Sequence, residues 1–361
     1  MSFLKKLFSK EQPVIDSNAA FWAWFRENEK TFFKVLKNKG DVENDFFAKM
    51  SDQLDQLREG YYFVAGMQDE NTAELIVTAD GNLKNIAFVE ALIAEAPSLP
   101  NWKLTALKPE LDIENVEIAM SGLRYNKNNI FFYSNIDENY PDEIDLTFVH
   151  SDMTEENKEA ISNGIYVFLD NYLGELSLME DIDSLEFTTP QNATEELIPI
   201  EKLKGFLTWR KKEFIEKYEG IRYNTDNDTY SVLEAETPDG TPMMAALNSE
   251  LLEWDSKASH PWMTVLTFNY DGSEGNGMPT DTDYQLLNTI EDAFMVSLKD
   301  EDGYLNLGRE TGQNQRKVYF ACKDFRKPSI YFDAIEKQYP QFKVEFSLYK
   351  DKYWRTMERF A

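Results

Sequence analysis

An α+β protein of two domains is the fold class this sequence predicts, on three observations. The chain has 361 residues, 42% of them hydrophobic and 14% aromatic, enough for two ordinary cores. Short alternating apolar runs are interleaved with helical periodicity along its whole length. No apolar run approaches the roughly 20 residues needed to cross a bilayer.

Taken in order, Ser17–Lys37 and 45–58 read as amphipathic helices, the first presenting Phe21, Trp24, Phe25, Phe32, Val35 and Leu36 on one face. Strands follow at 61–67 and 73–79. The turn Asp80-Gly81-Asn82 then opens a helix at 83–96, and a strand lies at 102–107. Ile130–Asn135 and Ile144–His150 read as strands on either side of an acidic loop. Thr154 is placed at the start of a long helix, with Glu155 and Glu156 in its first turn. A strand is expected at 185–188, a linker at Thr189–Thr194 and a helix from Pro199 to Tyr218. The hairpin 230–236/243–247 turns at Thr237-Pro238-Asp239-Gly240. From 262 to 349 the order is strand, helix, strand, strand, helix, strand, with clean alternation at Phe342, Val344, Phe346 and Leu348. That order predicts a ferredoxin-like four-stranded antiparallel sheet with both helices on one face. Both alternating sets of strand 262–270 are apolar, so the other face should be covered too, by the 199–218 helix, the N-terminal half or a second subunit. The expected division is N-terminal helices at 1–58, an acidic α+β domain related to the C-terminal one at 59–190, a linker and helix at 191–220, and the ferredoxin-like domain at 221–361.

Charge is the strongest functional signal. The net charge is −28, and residues 109–200 hold twenty-one Asp/Glu against three Lys/Arg. Such a chain is not expected to bind nucleic acid or an anionic membrane, which need a positive surface. Met1–Lys10 has no signal-peptide core, although a short basic amphipathic helix is conceivable there. The single cysteine, Cys322, suits a reducing compartment, so cytoplasm is the expected location.

The block Trp262–Phe346, with Tyr270-Asp271, Gly277-Met278-Pro279, Leu307-Gly308, Thr311-Gly312 and Arg316–Phe320, resembles the bacterial domain-of-unknown-function 695 family. The N-terminal Trp24-Phe25, Asn28-Glu29 and Thr78–Asn82 look like the region that accompanies such domains. The resemblance implies no activity.

Two histidines, His150 and His260, sit apart from each other and from Cys322, so neither a catalytic metal nor a cofactor is expected. Cys322 alternates with Val318 and Phe320 and reads as a buried, inert thiol. The loop with Asp271, Ser273, Asn276 and Gly277 lacks the Glu of a calcium loop, since Thr282 stands there. Arg309 and Arg316, flanking Thr311-Gly312, are candidate anion ligands. Asp137, Glu138, Asp142, Glu143, Asp145, Glu155 and Glu156 form the candidate partner surface. The expected function is a non-enzymatic binding or regulatory module whose acidic surface engages a basic protein. The alternatives are an enzyme with an Asp/Glu/Arg site in an inter-domain cleft and a housekeeping protein whose acidity only confers solubility. Homo-oligomerisation stays open.

Overall fold

The structure is a computed structural model and describes residues 14–360; the basic stretch Met1–Lys10 lies outside them. It is a mixed α+β fold whose described residues fall in two compact units, 14–111 with 170–176, and 112–169 with 177–360. Residues 59–190, expected to form one domain, are thus shared between the units, and the 189–194 stretch runs inside the second.

In the first unit α1 (Asn18–Asn38) starts at Ser17, whose hydroxyl accepts the Ala20 N–H. A π-helical turn at Glu43–Phe47 runs into α2 (Ala48–Leu57). Then come β1 (Tyr62–Met67), β2 (Ala73–Thr78), α3 (Leu83–Ala94) and β3 (Trp102–Ala106). The sheet order is β1-β2-β3, antiparallel and then parallel. Edge-to-face rings build the core: Phe25 meets Trp102 at 5.0 Å and Phe32 meets Phe46 at 5.1 Å. Trp22, not Trp24, is the fully inserted tryptophan, and its indole N–H donates to the Leu92 carbonyl.

The second unit opens with a small hairpin, β4 (Ile118–Met120) and β5 (Leu123–Tyr125), which has too few alternating residues to show in the sequence. It continues through β6 (Ile130–Asn135), β7 (Asp145–His150), α4 (Lys158–Leu173), α5 (Glu175–Asp181), β8 (Ser184–Phe187), β9 (Ile198–Pro199) and α6 (Leu203–Tyr218). The ends of α4 and α5 between 170 and 176 count with the first unit. The strands form a sheet ordered β8-β7-β6-β9. The helix α4 starts four residues later than its expected cap, so Glu155 and Glu156 precede it rather than lying in its first turn.

The largest sheet contains β10 (Tyr230–Glu236), β11 (Pro242–Asn248), β12 (Trp262–Asn269), β13 (Tyr304–Gly312), β14 (Gln315–Cys322) and β15 (Lys343–Lys350). Between them stand α7 (Ser249–Leu252), α8 (Asp281–Ser297) and α9 (Arg326–Gln338). Its order is β10-β11-β13-β14-β12-β15, every pair antiparallel. The expected four-stranded sheet is therefore six-stranded, because hairpin β10–β11 adds to β13 by five residue pairs. Both long helices lie on one face: Phe294 of α8 meets Phe320, and Phe332 of α9 stacks on Phe346 at 4.4 Å. Phe320 and Phe346 share that face with Thr264 and Leu266, their cross-strand partners.

The opposite face is covered as well. Met263, Val265 and Tyr319 are buried, packed with Leu247, Leu251, Trp354 and Met357. The cover is none of the expected elements. It is the chain's own tail, a 3-10 turn at Arg355–Phe360, together with α7.

Candidate functional site

The acidic loop between β6 and β7 divides into two halves with opposite fates. Asp137 and Glu138 point into solvent, and no cation among the described residues pairs with them. Asp142 and Glu143 turn inward. The Asp142 carboxylate accepts hydrogen bonds from Lys217 Nζ at 2.9 Å, Tyr218 Oη at 2.7 Å and Tyr353 Oη at 2.8 Å. The Tyr353 hydroxyl also accepts the Asp142 backbone N–H. Burial opposes the charge on Asp142, but those three donors outweigh it and hold the carboxyl below its usual range. Glu143 pairs with Arg355 at 2.7 Å, and burial still pushes its carboxyl up. Two members of the candidate partner surface, Asp142 and Glu143, are therefore structural fasteners to α6 and the chain's tail. Asp145 is half-buried and accepts from Ser184. Glu155 and Glu156 are exposed; Glu155 accepts from the Asn192 amide and carries no ion pair among the described residues.

Beside Asp142 lies a cleft of about 260 Å³ with an apolar wall of Ile144, Phe214, Pro261 and Trp262. Two lysines of its rim, Lys350 and Lys352, are paired with a carboxylate outside the lining, Asp183. Asp183 receives Lys350 at 3.0 Å, Lys352 at 2.7 Å and the Ile144 N–H at 2.7 Å. Burial works against the Asp183 charge, yet two lysines on one carboxylate hold it low. Lys350 has the reverse balance: burial and the neighbouring Lys352 pull it down more than the shared Asp183 raises it. A lysine with a lowered pKa in a cleft suggests a base or nucleophile. Here all three Nζ donors are taken, by Asp183 and by the Glu180 and Ile182 carbonyls. The arrangement fastens the last strand to the acidic segment and leaves no lone pair for chemistry.

The remaining candidates resolve into structure. Thr311 and Gly312 are strand residues. The turn is Gln313-Asn314, with φ of 53° and 62°, the left-handed pair a two-residue hairpin requires. Arg316 is fully buried and gives Nε to Thr311 and Nη1 to Asn288, while Arg309 pairs with Glu291 at 3.0 Å. Arg309 thus reaches α8 through Glu291 and Arg316 through Asn288, while the buried Nη2 of Arg316 has no hydrogen-bond partner among the described residues. His150 is buried with both nitrogens bonded, one to the Arg124 carbonyl and one to the Asp152 N–H. Cys322 is buried against Thr264, and burial pushes its thiol up to about 12. Among the described residues no group of three or more His, Cys, Asp or Glu side chains could hold a metal. None of their helices is long and apolar enough to cross a membrane.

Residues 235–360 match a family of unknown function, DUF695, the one anticipated from the strand and turn motifs. The match spans the large sheet from within β10 to the tail. The chain matches no curated protein and no solved structure.

Proposed function

We propose that this protein is a cytoplasmic binding or regulatory module that engages a basic protein partner through exposed carboxylates, with Asp137, Glu138, Glu155 and Glu156 as the contact set. One observation carries the reading: these four acids are solvent-exposed and free of compensating cations among the described residues, whereas Asp142 and Glu143 are consumed internally. Unpaired like charges raise the free energy of the isolated fold and the encounter rate with an oppositely charged surface. The same view treats β12–β15 with α8 and α9 as a ferredoxin-like unit widened by β10–β11, a scaffold that presents surfaces rather than a reaction centre. The test is capture of partners from native lysate at low and high salt. The kinetics of the captured partner with the quadruple variant Asp137→Asn, Glu138→Gln, Glu155→Gln, Glu156→Gln follow. Association at low salt should slow at least tenfold with an unchanged thermal melt. An unchanged association rate refutes the reading.

A further inference from the structure

Strand β10 ends the largest sheet, and all seven of its residues are exposed. Val232 is 60% and Leu233 41% accessible. Edge strands are ordinarily blunted with charged side chains, lysine above all, with proline or with a bulge. The other edge, β15, follows that rule with Lys343 and Lys350. Hairpin 230–248 carries no Lys or Arg at all, β10 itself has neither proline nor bulge, and its only charges are the carboxylates of Glu234 and Glu236.

The direction of its free backbone groups follows from the bonds at both ends of the hairpin. Thr237 N–H donates to the Thr241 carbonyl, and Ser249 N–H donates to the Thr229 carbonyl. Hydrogen-bonded pairs alternate along an antiparallel ladder. Ser231, Leu233 and Ala235 therefore bond to β11, in agreement with Pro242, which has no N–H to give, standing opposite Glu236. The N–H and C=O groups of Tyr230, Val232, Glu234 and Glu236 point away from the sheet. Those residues also place two carboxylates and an exposed valine on one face. On the other face Leu233 borders a groove of about 270 Å³ lined by Leu252, Trp354, Met357 and Phe360.

We infer that β10 is a strand-addition site for an extended segment of a partner protein that alternates basic and apolar residues. Four outward N–H and C=O sets supply the backbone ladder. Lysine or arginine opposite Glu234 and Glu236 completes the charge on one face, and an apolar side chain beside Leu233 enters the groove on the other. A second copy of this chain fits worse, because antiparallel self-pairing gathers four glutamates on one face between two molecules of charge −28. This surface is separate from the carboxylates of the β6–β7 loop, and its test does not depend on them.

The probe is a fluorescein-labelled synthetic peptide alternating lysine with valine, titrated into the full chain at low salt and read by anisotropy. The informative variant is Val232→Pro: proline is tolerated on an edge when its missing N–H faces outward, so the ladder to β11 survives while the docking ladder is cut. Circular dichroism and the thermal melt should be unchanged, and peptide affinity should fall at least tenfold. Glu234→Lys with Glu236→Lys should reverse the preference toward a peptide with glutamate in place of lysine. Equal binding by wild type and Val232→Pro overturns the proposal, as does failure of wild type to bind the lysine–valine peptide. Sedimentation showing a dimer that Val232→Pro abolishes also overturns it, in favour of self-pairing.

Discussion

Lys352 and Asp183 lie 2.7 Å apart although 169 residues separate them, and Lys350 reaches the same carboxylate from 3.0 Å. The last strand of the DUF695-matching region is fastened by this triad to the acidic segment that precedes it in the chain. A carboxylate that neutralises two nearly buried lysines cannot be removed cheaply.

Asp183→Asn should cost roughly 3–5 kcal/mol of unfolding free energy, the range for stranding a buried charge. Adding Lys350→Met should recover part of it, since one of the two stranded cations is gone. Because the Asp183 carboxyl is held low, its contribution is present above the ordinary Asp pKa and lost as pH falls through its native value. Urea unfolding of the single and double variants at neutral pH checks the first statement. A loss under about 1 kcal/mol for Asp183→Asn would contradict it.

The two halves of the β6–β7 loop should respond differently to the same chemistry. Asp142→Asn weakens three hydrogen bonds to a carboxylate, at roughly 1–3 kcal/mol in total. Asp137→Asn changes an exposed side chain that accepts only local bonds from Asn139, and should stay within about 0.5 kcal/mol of wild type. Thermal melts of the two single variants, side by side, distinguish a fastener from a solvated acid. Equal melts would erase the distinction.

His260 should give a measurable pH dependence. The Ser259 hydroxyl donates its one proton to the Ser256 carbonyl, so it accepts from Nδ1–H of His260 at 2.8 Å. Nε2 is then the bare nitrogen, buried with no hydrogen-bond partner among the described residues. Burial, with Lys323 and Arg222 nearby, pulls the imidazole pKa down to about 3. The unfolded chain takes up this proton below the ordinary value of 6.5 and the native fold does not. Stability is therefore unaffected above that pH and falls between 6.5 and about 3, by at most ~1.4 kcal/mol per pH unit. Comparing the pH 4.5–7 slope of wild type with that of His260→Leu isolates the effect; identical slopes would refute it.

Much of the fold was legible because it is local. Alternation in Phe342–Leu348 and the cap at Thr280 place β15 and α8 to within a residue or two. The cover on the second sheet face was foreseeable from the two apolar sets of β12, but its identity was not. Trp354, Met357 and Phe360 recur every three residues, the period of a 3-10 turn, in a run too short to read as an amphipathic helix. The fate of Asp142 was hidden for a different reason. Its partners Lys217 and Tyr353 lie 75 and 211 residues away, and composition cannot tell a solvated carboxylate from a paired one. The Gln313-Asn314 turn was missed because neither residue is glycine, although both take positive φ.

Glycines give a last prediction, of opposite sign at two sites. Gly308 follows the register shift in the β13–β14 ladder and has φ of 122°. A Cβ there would come within 2.2 Å of the Ala246 carbonyl oxygen and 2.7 Å of the Leu247 Cα, both backbone atoms of β11. Gly308→Ala should lose at least about 2 kcal/mol through backbone strain and displacement of β11. Gly205, in the first turns of α6, has nothing within 4 Å of its would-be Cβ and no positive φ. Gly205→Ala should gain roughly 0.5–1 kcal/mol by lowering the entropy of the unfolded chain. Chemical denaturation of both variants reads the difference directly. A Gly308→Ala protein as stable as wild type would mean that β11 does not press on β13 at the bulge.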